Sequence, residues 1–99
     1  MTLALIAKQQ PSAINKLFAL KNEIFKEGAL SVKDKELIAI SLSLVMKCET
    51  CLETHGQAAK QLGATIDEIR EAMLVAMYLV GPSAMIWTPV IDEILGGKL

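Results

Sequence analysis

No block of like charge runs anywhere in this chain. Ten basic residues stand against eleven acidic ones, a formal charge of −1, so neither a nucleic acid nor an anionic membrane surface is an expected partner. Cysteine is scarce too. The only two, Cys48 and Cys51, are three apart, close almost no loop and cannot staple a secreted fold. The start, MTLALIAKQQPS, has no basic region ahead of its short apolar run and no small-residue cleavage pattern, so it does not read as a signal peptide. These absences point to a reducing cytoplasm. No segment combines β-branched enrichment with strict alternation, so strands are not expected. There is no internal repeat, low-complexity tract or linker, and 99 residues allow one domain, residues 1–99.

Apolar residues, by contrast, are abundant. They make up 53% of the chain, more than so small a monomer can hide, and a homo-oligomer is the economical expectation. Ala72 to Ile91 runs twenty residues without a charge, about the length that crosses a bilayer. The Gly81–Pro82 break, Pro89 and the helix-start signals just ahead favour two buried helices meeting at a turn, with no membrane partner.

The patterning is that of an all-α, single-domain bundle of about five helices. Residues 1–9 read as a short arm packing Leu3, Leu5 and Ile6 on a neighbour. Pro11 suits the first turn of a helix, along which Ile14, Leu17, Phe18, Leu20 and Ile24 recur on one face, with Gly28 as its left-handed cap. Ser31 opens the second helix, Asp34 serving as an acidic variant of the capping box. Leu37–Met46 is apolar on nearly every side and is expected to be buried on nearly every side; Glu36, Ile40, Ser43 and Lys47 form its more polar stripe. A break is expected near Lys47, although no Gly or Pro marks it. The third helix runs from Cys48 to Gly63. Thr65 and Glu68 form a capping box for the fourth, with Ile66, Ile69, Met73, Ala76, Met77 and Val80 as its buried face. Gly81–Pro82 ends it, a fifth helix runs on to Leu95 with Pro89 kinking or dividing it, and Gly96–Leu99 frays.

The chemistry gathers in ELIAISLSLVMKCETCLETH, Glu36 to His55, which holds both cysteines and the only histidine. Cys51 and His55 lie four apart, one turn along one helical face, with Cys48 a further turn back. Two thiols at this spacing can close a short disulfide, and a neighbouring imidazole can take a thiol proton and leave the reactive thiolate. Cys48, at a helix start, has its own source of activation in the unsatisfied N–H groups and the macrodipole. Local physics thus supports activating either thiol. Glu36 would be about 18 Å from Cys48 on one straight helix. If the chain reverses near Lys47, Glu36 lies about 17 Å and His55 about 12 Å below the turn, a difference much of which a glutamate side chain spans. The other option is that Glu36 reaches a partner subunit's site. Ser43 and Lys47 share the stripe and read as a polar seam or surface. Met46 could narrow a pocket beside the thiols, and Trp87 and Tyr78 read as core or interface aromatics.

Other uses of a C-x-x-C fit less well. A thioredoxin-type site needs a βαβ setting, and c-type haem attachment needs a histidine directly after the second cysteine, where Leu52 stands. Structural zinc wants four ligands. Cys48, Cys51 and His55 offer three, with Glu36 as a fourth, so Zn or Fe at the Cys-Cys-His site stays as the alternative to a site without cofactor.

The full pattern, Glu36-x11-Cys48-x2-Cys51-x3-His55, resembles the active-site signature of the alkylhydroperoxidase D (AhpD)-like branch of the carboxymuconolactone decarboxylase family. The resemblance covers roughly Ser31 to Met77, including the small and apolar residues after Glu36 and the Gly63–Ala64–Thr65 break. It implies that family's helical fold, assembly as trimers or hexamers, and a thiol-dependent peroxidase. In that scheme Cys51 attacks the hydroperoxide, Cys48 resolves the sulfenic acid, Glu36 orients His55 or holds a water in a proton relay, and a separate dithiol reductant restores the thiols. Thr50 departs from the pattern, since some members carry a histidine there. The alternatives are a thiol–disulfide reductase acting on small or protein disulfides and a non-catalytic helical assembly module. Lactone decarboxylation is set aside, because that branch does not rely on the C-x-x-C pair.

Overall fold

Helices account for every regular element among residues 2–99, the stretch that the computed structural model describes. They are α1 (Thr2–Gln9), α2 (Pro11–Ile24), α3 (Val32–Met46), α4 (Glu49–Gln61), α5 (Ile66–Val80), a 3₁₀ helix (Pro82–Trp87) and α6 (Thr88–Ile94). Two side-chain caps set the frame. Ser31 Oγ accepts the Asp34 N–H at 3.0 Å and opens α3. At α5 the exchange is reciprocal: Thr65 Oγ1 accepts the Glu68 N–H at 3.1 Å, and Glu68 Oε1 accepts the Thr65 N–H at 2.8 Å. The two helices run side by side in the same sense. Lys33 Nζ meets Glu68 Oε2 at 2.8 Å near their starts, and Ser41 Oγ donates to the Ala72 carbonyl at 2.6 Å farther along. The hydrogen bond from Lys33 holds the Glu68 carboxyl below its ordinary range. The pair's contribution is therefore present at neutral pH and lost as acid titrates Glu68; being solvent-facing, it is also screened by salt.

The core lies between α3, α4, α5 and the C-terminal elements: Ile40 and Leu44, Leu52 and Ala59, Ile69, Met73 and Ala76, then Ala84, Ile91 and Leu95. Gly56 lets α6 approach α4 closely. A Cβ there would lie 3.0 Å from Ile91 Cδ1 and 3.2 Å from Ile94 Cδ1.

Several expectations change. The fifth helix is divided at Thr88, because Pro89 takes the first turn of α6, where its missing N–H costs nothing. No helix of the described residues is long and apolar enough to cross a membrane. Residues 2–9 are helical, and Leu5 and Ile6 are exposed; residue 1 lies outside the described residues. Helix α2 forms as its periodicity predicts but buries none of its residues. It stops at Ile24, four residues before Gly28, and Gly28 is not left-handed. The Ile24 carbonyl, which a longer helix would offer to the Gly28 N–H, instead accepts from Lys35 Nζ at 2.8 Å, and the Gly28 N–H turns to the Leu30 carbonyl.

In α3 the inward face is the polar stripe: Glu36, Ile40 and Ser43 are buried with Leu44, while Ile38, Leu42, Val45 and Met46 face outward. Polar atoms can go inside because they are paired. Ser43 Oγ donates to its own Ala39 carbonyl at 2.6 Å, and Glu36 binds a partner described below. Val80 is exposed rather than buried. The C-terminal residues are tied down where fraying was expected. Arg70 donates through Nε to the Leu99 carbonyl and through Nη2 to the Lys98 carbonyl, and the Leu99 N–H donates to Asp92 Oδ1.

The reversal between α3 and α4 is at Lys47. Its φ of 55° and ψ of 41° are left-handed, and it is the only non-glycine residue with positive φ among the described residues. The Lys47 N–H donates to the Leu44 carbonyl and the Cys48 N–H to the Ser43 carbonyl, a Schellman closure of α3. Gly63 makes the same closure after α4, with the Gly63 N–H on Lys60 and the Ala64 N–H on Ala59. Left-handed backbone costs a non-glycine residue about 1–2 kcal/mol, offset by the greater freedom glycine has when unfolded. Because the Lys47 side chain is exposed, Lys47→Gly is expected to raise stability by up to about 1 kcal/mol and Lys47→Val to lower it by about 1 kcal/mol or more. Urea denaturation with Val as stable as Gly would show that the turn stores no such strain.

Candidate active site

The Lys47 turn delivers Cys48 to the start of α4 in extended backbone, φ −99° and ψ 100°, as the N-cap residue. Its carbonyl accepts the Leu52 N–H at 3.0 Å and its Sγ accepts the Cys51 N–H at 3.2 Å. A sulfur here does what a serine or aspartate oxygen does at other N-caps. Cys48 and Cys51 are joined in a disulfide, their Cα atoms 5.3 Å apart, and both residues are half-buried. Thr50 Oγ1 lies 4.0 Å from Cys48 Sγ. Reduced, the Cys48 sulfur would face free N–H groups and the positive end of α4, which favours the thiolate.

His55 is one turn beyond Cys51. Its Nδ1 is 2.6 Å from Glu36 Oε2, and the two side chains are 20% and 6% exposed. The contact is made within one chain, so of the two routes open to Glu36 it takes the intramolecular one. With Glu36 as carboxylate, Nδ1–H donates to it and Nε2 keeps its lone pair. The stripe of α3 that carries Glu36 inward thus sets the tautomer of an imidazole on α4.

A residue that sequence reasoning passed over completes the surroundings. Phe25, just past the end of α2, stacks on the His55 ring with centroids 5.6 Å apart and planes 17° from parallel. No spacing signal links residues 25 and 55; in sequence Phe25, seven beyond Phe18, continues the apolar face of α2. Met46 and Lys47 are exposed, and Ser43 spends its hydroxyl on Ala39, so none of the three joins the Glu36–His55 pair. Tyr78 is exposed at 86%, while Trp87 packs against the core. An open groove of about 660 Å³ between α4 and α6, lined by Glu53, Thr54, Gln57 and Val90 among others, contains none of the four site residues.

Among the described residues no three His, Cys, Asp or Glu side chains are grouped to hold a metal ion. While the two sulfurs are bonded to each other, neither is a thiolate ligand, and Glu36 occupies one His55 nitrogen. The oxidised site therefore does not fit Zn or Fe.

A family model described as the carboxymuconolactone decarboxylase family matches residues 11–88. The chain belongs to that family. It is 37% identical over 82 residues to uncharacterized protein 4 in the cox locus of Paracoccus denitrificans, a match covering 79% of this chain and 74% of that protein. It is 38% identical over 58 residues to the alkyl hydroperoxide reductase AhpD of Anaeromyxobacter sp. (strain K), a match covering 59% of this chain but only 31% of that protein. The matched stretch is thus about a third of that AhpD relative's length, and the likeness puts the chain in the AhpD-like branch. The crystal structure of an apo carboxymuconolactone decarboxylase family protein from Legionella pneumophila superposes with a TM-score of 0.86 at 31% identity, covering 99% of this chain and 88% of that one. The family's all-helical fold is thereby shared nearly end to end.

Proposed function

We propose that this AhpD-like protein is a thiol-dependent peroxidase working through Cys51 and Cys48. The observation that carries the proposal is the juxtaposition at α4: a dithiol pair at the helix start, with an imidazole one turn on whose Nδ1 is held by a buried carboxylate. His55 Nε2 takes the Cys51 thiol proton. The thiolate attacks the outer oxygen of a hydroperoxide, the O–O bond breaks, and the alkoxide leaves as alcohol with the proton from the imidazolium. Cys51 is now a sulfenic acid. Cys48 attacks it, the S–S bond forms and water departs, so oxidation halts at a reversible stage. A separate dithiol of a reducing cytoplasm returns both thiols, and the net change is hydroperoxide plus dithiol to alcohol, water and disulfide.

The decisive measurement is thiol counting with metal analysis on anaerobically reduced protein, before and after one equivalent of an organic hydroperoxide. Loss of both thiols with release of the alcohol and no bound metal is expected. Unchanged thiols would overturn the peroxidase reading, and a stoichiometric metal or turnover of disulfides alone would favour the disulfide-reductase alternative.

We further propose that the working unit is a homo-oligomer, a trimer or hexamer. Support comes from the outward apolar residues of α3, from Leu74, Val75, Tyr78 and Leu79 on α5, and from an α2 that buries none of its residues. Light scattering at micromolar concentration is expected to show no 10.7 kDa monomer; a well-folded monomer would refute it.

A further inference from the structure

We infer that Phe25 and Lys35 are positioning residues for His55, and that the α2–α3 connection carries this device. The inference rests on the dithiol reading above. The Cβ–Cγ bond and the Glu36 bond at Nδ1 hold the imidazole along one edge, and the ring can still rock as that hydrogen bond bends. The Phe25 ring, stacked at 5.6 Å and 17°, fixes the plane. Together the two contacts leave Nε2 one direction in which to point, which is what a base acting on a thiol one turn away requires.

Phe25 itself needs an anchor, because α2 has no buried residue to hold it. Lys35 supplies one. Its Nζ donates to the Ile24 carbonyl at 2.8 Å and to the Lys26 carbonyl at 2.6 Å, gripping the backbone on either side of Phe25. Lys35 and Glu36 are neighbours on α3: one side chain secures Phe25, the next secures His55, and the two secured rings lie against each other. The grip lies just where α2 has ended at Ile24 and Phe25 stands outside the helix.

Neither Phe25 nor Lys35 belongs to the buried core, so variants at both are read with the melting temperature measured beside the rate. His55 is the only histidine, so its ring protons are a direct spectroscopic reporter. In the full chain, Phe25→Leu is expected to move those resonances downfield, as the ring current is lost, and to slow cumene-hydroperoxide oxidation of the reduced protein about tenfold with an unchanged melting temperature. Lys35→Met should do both to a similar degree. Phe25→Tyr, which keeps the stack, and Lys35→Arg, which keeps donors, should retain both the shift and the rate. A Phe25→Leu protein as fast as the parent overturns the inference alone, as does a shift unchanged in either Phe25→Leu or Lys35→Met. A parent that oxidises no faster than its Cys51→Ser variant overturns the dithiol reading and this inference with it, whatever the spectra show.

Discussion

Cys51→Ser is expected to be almost inert toward hydroperoxide, whereas Cys48→Ser is expected to react once and stop. Cys51 has His55 at i,i+4 on α4, and His55 has its Nδ1 on Glu36 at 2.6 Å, so in the proposed mechanism the direct base serves Cys51. Cys48 is the N-cap, where N–H groups, the helix dipole and the Thr50 hydroxyl act on it. Cys48→Ser should therefore stall as a sulfenic acid on Cys51, trappable by a dione reagent and prone to further oxidation. Serine is itself a good N-cap, so this variant should keep α4 intact. His55→Ala should slow the first step by about 10²–10⁴, the usual scale of general-base effects. Its defect should shrink at pH well above the ordinary thiol value of about 8.5, where thiolate forms without help. Stopped-flow oxidation with intact-mass analysis separates the outcomes. A reactive Cys51→Ser and an inert Cys48→Ser would reverse the roles and show that the helix terminus outweighs the imidazole. Equal reactivity would favour a general disulfide reductase.

The second large effect is expected at Glu36. Glu36→Gln keeps an acceptor for Nδ1–H but removes the charge that stabilises the imidazolium formed when His55 takes a proton. Thiol oxidation should slow tenfold or more, about 1.4 kcal/mol or more of barrier, with assembly and fold retained. Glu36→Ala should cost more, because it also leaves a half-buried N–H without its partner, a penalty of about 1–3 kcal/mol. Both are read from oxidation rates and urea midpoints on the same preparations. A Glu36→Gln rate equal to the parent's would reduce the carboxylate to a means of holding the ring in place.

Much of the architecture is visible in local sequence, and the reasons are local. The capping box of Thr65 and Glu68, the stop at Gly81–Pro82 and the Cys51–His55 spacing each involve residues within a turn or two, and physics at that range needs no tertiary context. The reversal at Lys47 is not marked locally, since lysine carries no turn signature. It was needed because without it Glu36 and the thiols would sit at opposite ends of one helix.

Which side of α3 turns inward within one chain is not legible from hydropathy, for a different reason. Within one chain, Glu36 and Ser43 are inside with their polar atoms paired, and Ile38, Leu42, Val45 and Met46 are outside. Periodicity measures the apolarity of a face, whereas the pairing of a carboxylate nineteen residues from its imidazole depends on how two helices pack. The stack of Phe25 on His55 is still further from sequence, thirty residues away. It stands where α2 has ended and a lysine on α3 holds the Ile24 and Lys26 carbonyls, and no count of residues along the chain contains that arrangement. Helices, caps and the dithiol with its neighbouring base follow from the order of residues; which partner each buried polar group finds follows from the packing of α2, α3 and α4.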